Sequence, residues 1–366
     1  MNVLMVVKNL RLSNGVSSYV MNYYRKLIKC DDINIDFLVV SDVGSSYYDE
    51  IYNNGSKIFF MPKLKNIYKC YKYLEEIFSN NKYDILHSNV LNSDAIIAIV
   101  AKKYDVPVRI LHSHATQNGD RFWKKIINWP FFQIAKKCSN VFFACSKKAG
   151  DNLFKKSDYH LIYNSIDYEK FKYSEEFRKQ IRKENNVEQG TLVLGTIARI
   201  TKQKNPFFIV DIIEMLKKQN VNFVFWWLGN GDLDDEIKMY ANSKNVADKI
   251  KFFGATDDIY KYYSALDMFL LPSFYEGLPV VGIEAQINGL LCMFSTNISE
   301  EVKLNNNVFF LNINNPSIWY DNILSKECYE HINVRYDDIK KYNIDDSAED
   351  LKKIYIQLCN KYRKEM

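Results

Sequence analysis

The sequence predicts two α/β domains in tandem, each a parallel sheet wrapped by helices. Three observations carry that expectation. Short β-rich runs alternate with amphipathic stretches along the chain, the pattern of repeated strand–helix–strand units. The alternation restarts after residues 165–190, a charged stretch poor in β-branched residues that closes on Gly190. At 366 residues, the chain is also longer than one hydrophobic core comfortably fills.

The first series opens at Val3–Val7, an apolar run leading into Gly15–Lys29. There Val16, Tyr19, Val20, Tyr23 and Leu27 recur at helical spacing. Further strands are expected at Ile35–Val40, Lys57–Met61, Asp84–His87, Val108–His112 and Val141–Cys145, each followed by a polar turn and a helical pattern. Residues 165–190 read as a linker with a surface helix. The second series places strands near Leu192–Ile197, Phe223–Leu228, Lys251–Phe253, Met268–Leu271, Leu291–Phe294 and Val308–Leu311. Ser347–Lys364 closes the chain as an amphipathic helix with Leu351, Ile354, Tyr355 and Leu358 on one side. Open parallel sheets take ligands beyond the carboxyl ends of their strands, so two such domains predict a site in a cleft between them. Functional residues are then expected just after strands.

Composition narrows the classes. A formal charge of +5 is mild and implies no nucleic-acid partner. Seven cysteines, an odd number without a C-x-x-C, suit a reducing cytosol better than a disulfide framework or a zinc site. The chain enters a strand directly at Met1–Val7, so no signal peptide is expected. No apolar stretch approaches the roughly 20 residues of a membrane span.

Several motifs pass the strand-end test. Arg199 and Lys204 in TIARITKQKNP follow a strand and precede a helix, a placement that suits a diphosphate; the plain alternative is two solvated cations. Glu276 and Glu284 in FYEGLPVVGIE follow the strand DMFLLP. Pro279 fits the first helical position, which leaves Glu276 in the loop and Glu284 nearly two turns in. Glu276 could simply complement the helix N-terminus. Glu284 lies in an apolar stretch, half-buried, and needs donors such as sugar hydroxyls.

His112 and His114 in RILHSHATQNGD share one side of a strand. The other histidines are scattered and no Cys or carboxylate stands nearby at ligand spacing, so hydrogen bonding to a substrate is favoured over metal binding. A structural strand-end histidine is the competing reading, and His87 ranks below both. Asp232-Leu233-Asp234 after a Gly-Asn-Gly turn reads as helix capping rather than a metal motif. Asn14-Gly15 follows the first strand as a loop that allows close approach of a phosphate; one glycine is far short of a dinucleotide fingerprint. Residues 121–148 carry seven Lys or Arg and no acid, interleaved with Phe122, Trp123, Trp129, Phe131 and Phe132. That mixture suits an anionic lipid surface; single-stranded nucleic acid and a core-packing helix with a basic outer side are the alternatives.

Taken in order, Arg199 and Lys204, then GNGDLDDEI, FFGATDDIYKYYSALD and PSFYEGLPVVGIEA, resemble the retaining family 4 glycosyltransferases. HSHATQNG, FFACSKKAGDNLF and IYNSIDYEKF are similar to their bacterial exopolysaccharide and capsule branch. The resemblance implies a GT-B fold: two Rossmann-like parallel-sheet domains facing a cleft, with a C-terminal helix crossing back to the first. The expected division is an acceptor-binding domain over 1–167, a donor-binding domain over 168–345 and the returning helix over 346–366.

By the same resemblance, Arg199 and Lys204 hold the donor's diphosphate and the amides of Val280 and Val281 add donors to it. Glu276 binds the donor sugar, Glu284 the ribose, and backbone near Gly254 and Thr256 meets the base. His114, rather than His112, stands near the reacting sugar, with Gly15 on the phosphate side. No metal is expected. The implied activity is transfer of a hexose from a nucleotide-diphosphate sugar, UDP-linked, to a lipid-linked glycan at the cytosolic face of the membrane. Ser13-Asn14-Gly15 carries one glycine where many members have two, and Thr296-Asn297-Ile298-Ser299-Glu300 replaces a turn that often holds Gly-Gly. The rival classes are an epimerase of the same fold, which isomerises without acceptor, and a non-catalytic nucleotide-sugar binding subunit. A glycosidase is disfavoured, because its two carboxylates must flank the scissile bond.

Overall fold

A computed structural model describes residues 1–11, 15–45, 47–91, 94–114, 122–155, 157–256, 258–276, 278–325 and 330–364, with backbone alone at 122–125 and 338. The chain divides into two compact units, Met1–Ser165 joined by Lys341–Met366, and Ile166–Lys340.

The first unit contains strands β1 (Asn2–Val7), β2 (Asn34–Val39), β3 (Ile58–Phe60), β4 (Ile85–Ser88), β5 (Val108–Ser113), β6 (Val141–Ala144) and β7 (His160–Leu161). They form one parallel sheet in the order β3-β2-β1-β4-β5-β6-β7. Alternation along β1 sorts its side chains between two cores. Val3, Met5 and Val7 face Tyr19, Val20, Tyr23 and Leu27 of the helix Gly15–Leu27. Leu4 and Val6 face Leu74, Ile77 and Ile97 on the other side. The closing helix, Ile344–Arg363, buries Ala348, Leu351, Tyr355 and Leu358 in the first of these cores and packs on the helix Gly15–Leu27. β7 escapes sequence patterning because it is two residues long and exposed at the sheet edge.

The second unit contains β8 (Leu192–Ile197), β9 (Phe223–Leu228), β10 (Ile250–Gly254), β11 (Met268–Leu271), β12 (Leu291–Ser295) and β13 (Val308–Leu311). These make a second parallel sheet, ordered β10-β9-β8-β11-β12-β13. Leu194, Phe225, Trp227, Leu270 and Met293 pack with the helix Pro206–Lys218 into its core. The helix Glu175–Glu184, expected on the surface, is tethered. Arg178 and Arg182 both reach Asp267 Oδ1, at 2.5 and 2.6 Å, while Asp267 Oδ2 accepts the Val193 amide. Among the described residues no helix is long and apolar enough to cross a membrane.

Candidate functional site

In both sheets the first strand of the series is central, and the order reverses beside it: between β1 and β4, and between β8 and β11. Such switch points leave a crevice outside the strand carboxyl ends, because the two loops there depart in opposite directions.

In the second unit the loop leaving β8 carries Arg199 and then a 3₁₀ turn, Lys202–Lys204. Asn205 (φ 54°) reverses the chain in the left-handed region, and Pro206 starts the next helix. Lys204 Nζ lies 2.5 Å from Glu276 Oε1, on the loop after the neighbouring strand β11, and both side chains are largely buried. Gln203 adds an amide N–H to Tyr275 O at 3.0 Å and to Glu276 Oε2 at 3.3 Å. The Arg199 side chain is exposed and makes no hydrogen bond or ion pair with the described residues. The loops thus pair Lys204 with Glu276 and leave the Arg199 side chain without a polar partner among the described residues.

The Gly229-Asn230-Gly231 turn after β9 packs directly against the β8 loop. A Cβ on Gly231 would lie 2.0 Å from Ile200 O, and one on Gly229 2.4 Å from Ala198 O. Asp234 Oδ1 accepts the Gly231 amide at 2.6 Å and opens the helix Asp234–Ser243, so this acid secures the turn. Gly254 (φ 73°) ends β10 and its carbonyl accepts the Gly229 amide; Thr256 Oγ1 accepts the Asp258 amide. Among the described residues no group of three His, Cys, Asp or Glu converges as metal ligands.

Pro279 is the cap of the helix Val280–Ile287 rather than its first residue, since its ψ of 112° is extended. The amides of Val280 and Val281 therefore open that helix and have no carbonyl to bond within it. Glu284 is 5% exposed, more deeply placed than the sequence implied. Its donor comes from inside the protein: the Tyr263 hydroxyl, on the helix Ile259–Ala265, lies 2.8 Å from Oε2. Burial pushes the Glu284 carboxyl up to about 7, against the pull of the Tyr263 hydrogen bond and Lys170. A carboxylate accepts several hydrogen bonds, so one tyrosine leaves capacity for more.

In the first unit His114 follows β5 and its Nε2 lies 2.8 Å from Asn89 Oδ1, beyond the end of β4. The Asn89 amide nitrogen donates to Val6 O and contacts Met5 Sδ, which turns its oxygen toward the histidine. Nε2 must then carry the proton, which leaves Nδ1 as a buried acceptor. Burial holds His114 neutral, its pKa down at about 4 with Asn164 opposing the shift.

The histidines are less scattered than the sequence suggested. His87 Nε2 lies 2.9 Å from His112 Nδ1, and the His112 and His114 rings stack at 4.1 Å. Adjacent strands β4 and β5 align them, and His87 Nδ1 bonds the Tyr355 hydroxyl of the closing helix. Burial keeps His87 and His112 neutral too. Gly15 begins its helix with none of the described residues within 4 Å of a hypothetical Cβ; Ser13 and Asn14 lie outside the described residues.

The family model for Glycosyltransferase Family 4 matches residues 13–170, and that for Glycosyl transferases group 1 matches 177–315. The Bacillus subtilis protein assigned by name as the glycosyltransferase EpsF is 30% identical over 332 residues, 84% of this chain and 83% of its own. The chain belongs to glycosyltransferase family 4. The Escherichia coli UDP-Gal:alpha-D-GlcNAc-diphosphoundecaprenol alpha-1,3-galactosyltransferase is 24% identical, covering 84% of this chain and 85% of its own. The capsular polysaccharide biosynthesis glycosyltransferase CapH of Staphylococcus aureus is 26% identical, covering 84% and 86%. The solved structure of Anabaena HepE in complex with UDP and glucose shares the fold, with a TM-score of 0.81 at 13% identity over 97% of this chain and 99% of that one. This is the GT-B fold.

In this glycosyltransferase, the described part of residues 121–148 differs from the core-packing helix with a basic outer side. Arg121 and the side chains of 122–125 lie outside the described residues. Over the rest of the helix Phe122–Cys138, Phe132 and Ala135 are buried, whereas Ile126, Ile127, Trp129, Phe131 and Ile134 are exposed. Lys136 turns inward to donate to Phe154 O, leaving Lys137 on the exposed side. Among the described side chains the outer face is therefore largely apolar. Sequence reasoning missed Gln203, Tyr263 and Asn89. A glutamine, tyrosine or asparagine has no distinctive local signal, and each matters here for what lies opposite it in space.

Proposed function

We propose that this glycosyltransferase moves a hexose from a UDP-linked donor, with retention, onto a lipid-linked glycan in surface polysaccharide assembly. The observation that carries the reading is the Lys204–Glu276 pair at the switch point of the second sheet, with Arg199 exposed on the same β8 loop and its side chain unpaired among the described residues. A diphosphate there meets Arg199 and draws Lys204 from Glu276, whose carboxylate then accepts the sugar's hydroxyls. As the sugar–phosphate bond breaks, negative charge grows on the departing nucleotide. The two cations, once on the diphosphate, and the first amides of the helix Val280–Ile287 stabilise it without the reorganisation cost that bulk water pays. These cations do the work a divalent metal does elsewhere, so no metal is required.

Glu284 takes the ribose, with Tyr263 holding it, and backbone at Gly254 and Thr256 meets the base. Residues 168–345 are then the donor-binding domain. Residues 1–167 bind the acceptor, with neutral His114 accepting a hydrogen bond at Nδ1 from a substrate hydroxyl and Gly15 giving a phosphate close approach; residues 346–366 return to this domain. The names of the E. coli and S. aureus relatives, one with a UDP-Gal donor and a diphosphoundecaprenol acceptor, support the donor class and pathway. HepE, seen with UDP and glucose, supports the nucleotide.

A thermal-shift screen of UDP, GDP and their sugars tests this, because a ligand bound only by the native state raises its melting temperature. UDP-sugars are expected to shift wild type and not Arg199→Ala. No shift by any nucleotide, or an equal shift in Arg199→Ala, overturns the donor site.

A lipid-linked acceptor also requires the enzyme at the cytosolic membrane surface. The apolar face of the helix Phe122–Cys138 in a protein of net charge +5 supports docking on anionic lipid. Flotation with phosphatidylglycerol vesicles should lose Ile127→Glu and Trp129→Glu variants; unchanged flotation overturns that surface. Lys136 is unsuited to such a test, because its charge serves Phe154 O internally.

A further inference from the structure

Glu276 divides its two oxygens between different partners. Oε1 meets Lys204 Nζ and Oε2 meets the Gln203 side chain. Gln203 is itself held at three points. Its amide nitrogen faces Tyr275 O and Glu276 Oε2, both acceptors, so no flipped amide satisfies the pair. Its backbone carbonyl accepts the Phe274 amide at 2.9 Å. The short turn Lys202–Lys204, ended by left-handed Asn205 and by Pro206, sets the direction from which the side chain departs.

Gln203 therefore ties the β8 loop to the β11 loop independently of Lys204. If a diphosphate takes Lys204, Glu276 keeps one anchor and Oε1 is vacated. We propose that Gln203 is a positioning residue for the donor sugar: it holds Glu276 in place when Lys204 turns to the diphosphate, so that the carboxylate meets sugar hydroxyls. This rests on the donor reading above and deepens it. A neutral amide is the right chemistry, because a second cation would keep Glu276 paired and an acid would repel it.

The discriminating quantity is the affinity for a nucleotide sugar relative to UDP. Glu276 serves the sugar, whereas Arg199, Lys204 and Glu284 serve the nucleotide. The probes are UDP and whichever of UDP-glucose, UDP-galactose and UDP-N-acetylglucosamine binds wild type most tightly by calorimetric titration. Gln203→Leu, close in volume but without donors, is expected to weaken the nucleotide sugar by about tenfold, the scale of one charge-assisted hydrogen bond. UDP should stay within about twofold, since its contacts are untouched. Gln203→Glu should be worse for the sugar. Added to Glu276→Ala, Gln203→Leu should cost nothing more, because residues acting through one group do not add.

A fall shared equally by UDP and the nucleotide sugar overturns the proposal in favour of plain loop support. Equal affinities in Gln203→Leu and wild type, or full additivity with Glu276→Ala, overturn it as well. If wild type binds neither UDP nor any of the sugars, the donor reading itself falls and takes this proposal with it.

Discussion

At the residue scale, Glu284 illustrates how a local pattern finds a residue but not its state. Its apolar neighbours in VVGIEA signalled a carboxyl that needed a donor, and the donor is Tyr263, 21 residues earlier. With its pKa raised by burial to about 7, the folded protein keeps a proton that the unfolded chain loses near 4.5. The unfolded state therefore binds fewer protons across that window, and this residue's contribution to stability falls as pH rises from about 4.5 to 7. Glu284→Gln, which can still accept from Tyr263, removes the slope. Its melting temperature is expected to exceed wild type at pH 8, with the gap closing by pH 5. An equal difference at both pH values would refute the buried neutral carboxyl.

The element scale is where the glycines separate. Gly231 sits against the β8 loop so closely that any side chain displaces the backbone carrying Arg199. Gly231→Ala should cost at least about 2 kcal/mol of stability, the strain of overpacking against atoms that cannot swing away, and should abolish the UDP-induced shift. Gly15 is the opposite case. Its Cβ position is open among the described residues, so Gly15→Ala should leave the melting temperature unchanged while reducing the shift given by UDP-sugars. Calorimetry of both variants with and without ligand reads the two outcomes. A destabilised Gly15→Ala, or one with an undiminished shift, removes Gly15 from the phosphate side. Neither contrast is visible in sequence, where both residues are a glycine between a strand and a helix.

At the scale of the whole molecule, the closing helix belongs to the first unit although it lies at the far end of the chain. One side of it is buried beside Val20 and Tyr23, and Tyr355 extends to His87. Leu351→Ala should cost about 2–5 kcal/mol, a buried leucine's transfer energy plus the cavity left behind. Ile356→Ala, on the same helix at 40% exposure, should cost less than about 1 kcal/mol. Urea denaturation separates them; similar losses would mean that the helix does not use one face.

The sequence by itself determined the alternation of strands and helices, the amphipathic closing helix and the strand-end loops that carry Arg199, Lys204 and Glu276. Each of those follows from periodicity within about ten residues or from a motif on one loop. Only the tertiary structure decided the pairings: Lys204 with Glu276 across 72 residues, His87 with His112 across 25, Tyr355 with His87 across 268. Strand order is the physical reason. β8 neighbours β11, and β4 neighbours β5, because whole helices cross over the sheet to bring them together. Side chains at those carboxyl ends meet as a consequence of the crossover, which no local spacing encodes.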